Sequence, residues 1–309
     1  MKKVLLGNGA LPASRISLGC MRMADLTRKD AETVIRTALE VGIDFFDHAD
    51  IYSAGKSEEV FAEAIGMSPS VREGILLQSK CGIRKGFFDF SREHILTSVD
   101  ALLRRLRTEY LDVLLLHRPD TLMEPEEVAE AFSLLHRTGK VRHFGVSNQN
   151  PMQMELLQRH VDQRLIVNQL QLSITNTGMI DSGLNVNMQV DRSVDRDGSI
   201  LEYCRLKDIT IQPWSPFQYG FFEGAFLDNP KVPELNAKID EMAEAKGVTN
   251  TAIAIAWLLR HPAGMQPVIG TMNPQRIRDI AKADEVELTR PEWYEIYLSL
   301  IHISEPTRR

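Results

Sequence analysis

Cysteine is scarce in this 309-residue chain. Cys20, Cys81 and Cys204 are an odd number at wide spacings, with no CxxC pair. That excludes a disulfide framework and a cysteine-built metal site, and predicts free, inert thiols in a reducing cytoplasm. Long apolar runs are missing too. No stretch approaches the roughly 20 residues of a membrane span, and the run after the charged start MKKVLLGNG is too short for a secretory signal. Positive charge is not in excess: 36 Lys and Arg stand against 42 Asp and Glu, and no basic patch suits a nucleic-acid partner. No GxGxxG follows the first apolar segment, and no low-complexity linker divides the chain. What is present, 43% apolar and 25% charged residues, is enough to bury a large core. The expectation is a cytoplasmic protein without membrane or nucleic-acid partners; its oligomeric state is not legible.

Short apolar segments alternate with amphipathic ones. The most informative is Leu111 to Asp120, LDVLLLHRPD, too short for a helix and apolar on both faces. It reads as a buried parallel strand, with His117 the first side chain past its carboxyl end. Further strands are expected at Ile16 to Cys20, Ile43 to Asp47, Ile75 to Ser79, Val141 to Val146, Ile166 to Leu170, Ile209 to Gln212 and Val268-Ile269. Thr27 and Asp30 form a capping-box pattern before the face Ala31, Val34, Ile35, Ala38 and Leu39, and Gly42 closes that helix. Helices follow near Ser57 to Ile65, after Ser91, from Pro125 to Gly139 and from Asn150-Pro151. Ser173 to Gly198 reads as a polar excursion over a barrel face, and Lys231 to Lys246 as an additional helix before one at Asn250 to Arg260. Eight strands alternating with helices predict a (β/α)8 TIM barrel in one domain, residues 1–297, with an N-terminal cap segment; an open doubly wound sheet is the alternative. Leu298 to Arg308, LSLIHISEPTR, reads as a translated sequencing adapter. Residues 298–309 are therefore taken as a non-native tail in which His302 has no role.

In such a barrel the carboxyl ends of the strands converge on one mouth, where active sites of this architecture lie. There stand Asp47, with Tyr52 five residues on, then Lys80, His117, Ser147-Asn148, Gln169, Trp214, and Thr271 with Arg276. Any one of these has an ordinary structural explanation; together on successive strands they suggest chemistry. A phenol ionises near pH 10, and a nearby ammonium lowers that value while a carboxylate holds the ammonium. Lys80 would tune Tyr52, Asp47 would anchor Lys80, and His117 would bond a substrate oxygen. Such a set suits protonating a carbonyl while a nicotinamide or flavin supplies hydride.

The segments GIDFFDHADIY, LLQSKCG, LLLHRPD, GKVRHFGVSN, VNQLQ, QPWSPF and VIGTMNPQRIRD, in this order, resemble the signature segments of the aldo-keto reductase superfamily. The likeness is greatest to a bacterial branch of NADP-dependent oxidoreductases with a short tail. That resemblance implies Tyr52 as general acid/base, supported by Asp47, Lys80 and His117, with no metal. It implies Ser147, Asn148 and Gln169 on the nicotinamide carboxamide, and Trp214 stacked on its ring with Ser215, Pro216 and Phe217 beside it. The Gly270-Thr271 to Arg276 segment would take the adenosine 2′-phosphate, Arg276 favouring NADP over NAD because a guanidinium fits a phosphate bidentately. Met21 and Arg22 would touch the cofactor. The chain departs from its relatives at Gly270, where lysine is frequent, and at Ile280, where a polar residue is frequent.

Phe217, Tyr219, Phe221 and Phe222 either wall a substrate pocket or pack on themselves, whereas Trp257 and Trp293 are expected to pack helices. The implied activity is NADPH-dependent reduction of an aldehyde or ketone. Two alternatives stand beside it: a nicotinamide-binding regulatory or redox-sensing subunit, and an aldolase using Lys80 as a Schiff-base amine.

Overall fold

The computed structural model describes residues 1–220 and 223–304, with side chains to residue 300. The chain opens with an antiparallel hairpin, β1 (Lys3–Leu6) and β2 (Leu11–Ser14), turning through the Gly7-Asn8-Gly9 segment. Eight parallel strands then close on themselves: β3 (Ser17–Gly19), β4 (Phe45–Asp47), β5 (Leu76–Cys81), and, beyond a small surface hairpin β6 (Ile83–Arg84) and β7 (Phe87–Phe88), β8 (Leu111–Leu116), β9 (Val141–Ser147), β10 (Leu165–Gln171), β11 (Thr210–Trp214) and β12 (Val268–Ile269). The helices around them are α1 (Arg28–Glu40), α2 (Lys56–Ile65), α3 (Pro69–Glu73), α4 (Arg92–Leu106), α5 (Pro125–Arg137), α6 (Pro151–Gln158), α7 (Gly178–Leu184), α8 (Ile200–Leu206), α9 (Pro233–Lys246), α10 (Asn250–Arg260), α11 (Pro274–Ala281) and α12 (Arg290–Ser304). This is a (β/α)8 TIM barrel, as expected; the open-sheet alternative fails because β3 pairs with both β4 and β12, closing the sheet.

Local chemistry explains the helix starts. The Thr27 hydroxyl accepts from the Asp30 amide and donates to its carboxylate, and Asn150 with Gln153 forms a complete capping box. Proline stands in the first turn of α5, α6, α9 and α11, where its missing N–H costs nothing. Inside the barrel lies a distinct apolar cluster of Leu6, Ala13, Phe45, Val113, Leu115, Ile166 and Val167, so the hairpin residues Leu6 and Ala13 help fill it. A far larger cluster fills the layer between strands and helices. Within β8, Asp112 interrupts the apolar run. It is fully buried, its carboxylate 2.6 Å from Arg72 and 2.9 Å from the Leu77 amide, and so ties α3 to β5.

Several elements escaped the sequence reading. The cap segment is the β1–β2 hairpin; α3, α7, α8 and the β6–β7 hairpin are too short for periodicity to register. The excursion at Ser173 to Gly198 contains α7 and a single 3-10 turn at Asp191–Ser193. Trp257 and Trp293 do pack helices. Their rings stack at 4.7 Å and 7°, and each indole N–H donates to the other's backbone carbonyl, clasping α10 to α12. Helix α12 runs on through Ser304, while 305–309 lie outside the described residues, as do Phe221 and Phe222. Among the described residues no helix is long and apolar enough to cross a membrane.

Candidate active site

Asp47 ends β4, paired with Gln78 of β5, and is 2% exposed. Beyond it the chain keeps its hold on β5, the His48 amide donating to the Gln78 carbonyl and the Asp50 amide to the Lys80 carbonyl. Tyr52 follows, and then Ser53, Ala54 and Gly55 are all left-handed, with φ of 49°, 53° and 88°. Two non-glycine residues in that region cost about 1 kcal/mol or more each, so their surroundings must enforce the turn. Gly55 lies flat against Arg105: a Cβ there would sit 2.4 Å from its Nε. Arg105 in turn donates at 2.6 Å to the buried Glu58, whose other oxygen accepts from the Ser79 hydroxyl beside Lys80. The turn that carries Tyr52 is thus pinned to the strand that carries Lys80.

Lys80 is fully buried, and all three ammonium hydrogens have acceptors: Asp47 Oδ2 at 2.7 Å, the His48 carbonyl at 2.8 Å and Tyr52 Oη at 3.2 Å. His117 meets the Tyr52 ring edge to face, centroids 6.2 Å apart, and its Nδ1 is buried without a partner among the described residues. The four residues therefore form one contiguous cluster. Burial, the largest influence on Lys80, pulls its pKa down, but Asp47 and Tyr52 more than offset it and the net direction is up. For Tyr52 the outcome reverses the expectation from sequence. Burial raises the phenol pKa, Lys80 lowers it, Asp47 raises it again, and the net shift is upward. Burial, then the charges of Lys80 and Arg118, holds His117 well below the usual histidine range, so its imidazole is neutral.

Around the mouth the remaining residues form a polar arc. Ser147 Oγ donates to the Gln169 carbonyl and accepts from Asn148 Nδ2, whose Oδ1 takes the Trp214 indole N–H at 3.1 Å. Asn148 and Ser215, each at or just past a strand end, are left-handed with φ of 57° and 51°, which turns the chain sharply off the barrel rim. The Arg118 guanidinium lies 5.9 Å from the Trp214 ring centroid. Pro216 is buried and Phe217 half-buried, and Tyr219 sits under the Lys231 ammonium. Met21 is 51% exposed, and Arg22 donates to the Gly270 carbonyl, joining the β3 and β12 loops. Asn273 caps α11 by accepting from the Arg276 amide, while Thr271 Oγ1 accepts from the Asn273 amide. Arg276 is exposed and Gly270 has open space over it.

Gln169 Nε2 turns inward, 3.1 Å from both Asp47 Oδ1 and Gln212 Oε1. Gln78, Gln212 and Gln266, buried within the barrel and bonded in the same chain of amides, were not singled out from the sequence. Polar residues inside the apolar strand segments ILLQSK and TIQPW were the available signal. His48 was missed as well. It is fully buried edge-on to Phe61 at 4.7 Å, neither ring nitrogen has a partner among the described residues, and burial pushes its pKa down to about 3.

This donor set fits a nicotinamide dinucleotide: side-chain amides and a hydroxyl for a carboxamide, a half-buried indole for a ring, and an exposed guanidinium at a helix N-terminus for a phosphate. The closed parallel barrel with a Tyr–Lys–Asp–His cluster at its mouth defines a class, and the comparisons agree. The profile of the Aldo/keto reductase family matches residues 15–297. The oxidoreductase YcsN of Bacillus subtilis is 35% identical over 94% of this chain and 95% of its own. The 6-dehydroglucose reductase of Agrobacterium fabrum is 34% identical, with 96% and 97% covered. Among solved structures, an aldo/keto reductase from Klebsiella pneumoniae in complex with NADP and acetate is 25% identical, with a TM-score of 0.76 over 100% of this chain and 97% of that one. The chain belongs to the aldo/keto reductase family and is an oxidoreductase.

Proposed function

We propose that the protein is an NADPH-dependent carbonyl reductase that converts an aldehyde or ketone to an alcohol. The observation that carries this reading is the Lys80 ammonium, held between Asp47 and the Tyr52 phenol with His117 alongside. Tyr52, with its pKa raised, keeps its proton until a substrate oxygen takes it; Lys80 then faces the phenolate that remains. Neutral His117 bonds the same oxygen and fixes which face of the carbonyl is presented. A reduced nicotinamide supplies the hydride that no side chain can give. Ser147, Asn148 and Gln169 would hold its carboxamide, and Trp214 its ring, within the Ser215-Pro216-Phe217 turn. Gly270, Thr271 and Arg276 would hold the adenosine 2′-phosphate, Arg276 giving the preference for NADP(H), and Met21 and Arg22 would touch the cofactor.

The Klebsiella relative in complex with NADP and the Agrobacterium relative named 6-dehydroglucose reductase support the cofactor and a small carbonyl substrate. Three buried free thiols suit a cytoplasmic setting. Residues 1–297 would form the functional unit and 298–309 an appended tail. An aldolase is disfavoured, because an ammonium with three acceptors and a raised pKa is a poor amine nucleophile. The test is NADPH oxidation with 4-nitrobenzaldehyde, together with Tyr52→Phe. Tight NADPH binding with no turnover across a broad carbonyl panel would instead indicate the sensing subunit.

A further inference from the structure

We propose that Gln78, Gln212 and Gln266 are positioning residues: with Gln169 they form a polarised chain of side-chain amides through the barrel that presents N–H groups, and only N–H groups, to Asp47. The proposal rests on the reading of Asp47, Lys80 and Tyr52 as the reacting cluster. The chain begins far from the mouth, at the backbone carbonyl of Ser14 in β2, which accepts from Gln266 Nε2 at 2.7 Å. Gln266 Oε1 accepts from Gln212 Nε2 at 2.8 Å. Gln212 Oε1 then accepts from Gln78 Nε2 at 2.8 Å and Gln169 Nε2 at 3.1 Å. Those two amide nitrogens also donate to Asp47 Oδ1, at 2.6 and 3.1 Å. The sense is set at the far end. A backbone carbonyl can only accept, so Gln266 must offer its NH2, its oxygen must face Gln212, and each later amide follows.

Gln78 shows what that sense costs. Its Oε1 is buried with no partner among the described residues. Turning the amide over would set this oxygen against the Asp47 carboxylate and the Gln212 oxygen, two acceptors, which is worse than one orphan. Asp47 thereby receives two N–H groups on Oδ1 and the ammonium on Oδ2, an arrangement that matches a carboxylate and orients it toward Lys80. Gln169 Nε2 is fully used, which leaves its Oε1 to accept, so a carboxamide bound at the mouth would meet it through an N–H.

The test uses Gln266, the member far along the chain from Asp47. In Gln266→Met the side chain keeps its length but loses both bonds, and Gln212 is released. Gln266→Glu, protonated in its buried site, donates to Ser14 and accepts from Gln212, so the sense is restored. For Gln266→Met, kcat is expected to fall about tenfold to a hundredfold with KM for NADPH unchanged. The Tyr52 phenolate absorbance, taken as the difference from Tyr52→Phe in cofactor-free protein, is expected to titrate at a displaced pH. Gln266→Glu is expected to return both toward wild type. Equal losses in the two variants with an unmoved Tyr52 titration would show a merely structural role and overturn the proposal. If wild type reduces no carbonyl, the reductase reading falls, and the phenolate titration still decides this one.

Discussion

The Lys80 ammonium lies 3.2 Å from the Tyr52 phenol oxygen although the two residues are 28 apart in the chain, and the phenol is one of its three acceptors among the described residues. Its other two, Asp47 Oδ2 and the His48 carbonyl, come from the strand end that leads to Tyr52. The phenol is therefore placed by the same short segment that neutralises the amine.

Replacing Tyr52 with Phe removes the phenol O–H, the proposed proton donor, but little packing. Turnover of 4-nitrobenzaldehyde is expected to drop about 10²- to 10⁴-fold, while NADPH binding, followed by fluorescence, stays within about threefold. Loss of cofactor binding in step with turnover would count against the assignment.

Lys80→Met is expected to abolish turnover, and it leaves Asp47 buried without its ammonium partner. Removing one partner of a buried pair costs about 3–5 kcal/mol, and urea denaturation is expected to show it. The double variant Asp47→Asn with Lys80→Met should be more stable than the sum of the single losses predicts, because the uncompensated charge is gone. Simple additivity would show that the two do not act as a pair.

Asp50 predicts a pH dependence of stability. Burial, then the neighbouring Glu58, pushes its pKa from 3.8 up to about 7. The folded state therefore holds this proton more tightly than the unfolded chain does. Its stabilising contribution is complete below about pH 4 and is lost as pH rises through 7. Asp50→Asn should be more stable than wild type at pH 8, on the order of 2 kcal/mol given partial exposure, and the difference should vanish toward pH 4. An equal difference at both pH values would contradict this origin.

Arg276 offers an exposed guanidinium beside the capped start of α11. Arg276→Ala is expected to raise KM for NADPH about tenfold or more, the scale of one lost charge-assisted phosphate contact, and to leave KM for NADH unchanged. Equal effects on the two cofactors would remove the 2′-phosphate from its role.

Much was legible in the chain because it is local. The apolar runs that end in Asp47, Lys80 and His117, the caps at Thr27 and Asn150, and the prolines opening α5 and α6 depend on near neighbours, and periodicity reports them. Strand ends of a parallel barrel must share one mouth, so the order of the segments already gathered the polar set. Other features depend on what distant segments bring close. The hairpin that enters the barrel base, the left-handed turn held by Arg105, and the upward shift of Tyr52 follow from burial against residues tens of positions away.

The sequence by itself determined the alternation of strand and helix and the identity of the groups at the strand ends, because side-chain period and turn chemistry are properties of adjacent residues. Only the tertiary structure decided which donor meets which acceptor. It turned Gln169 inward to Asp47 and linked it through Gln212 and Gln266 to Ser14, since an amide's orientation is settled by its partners and not by its place in the chain.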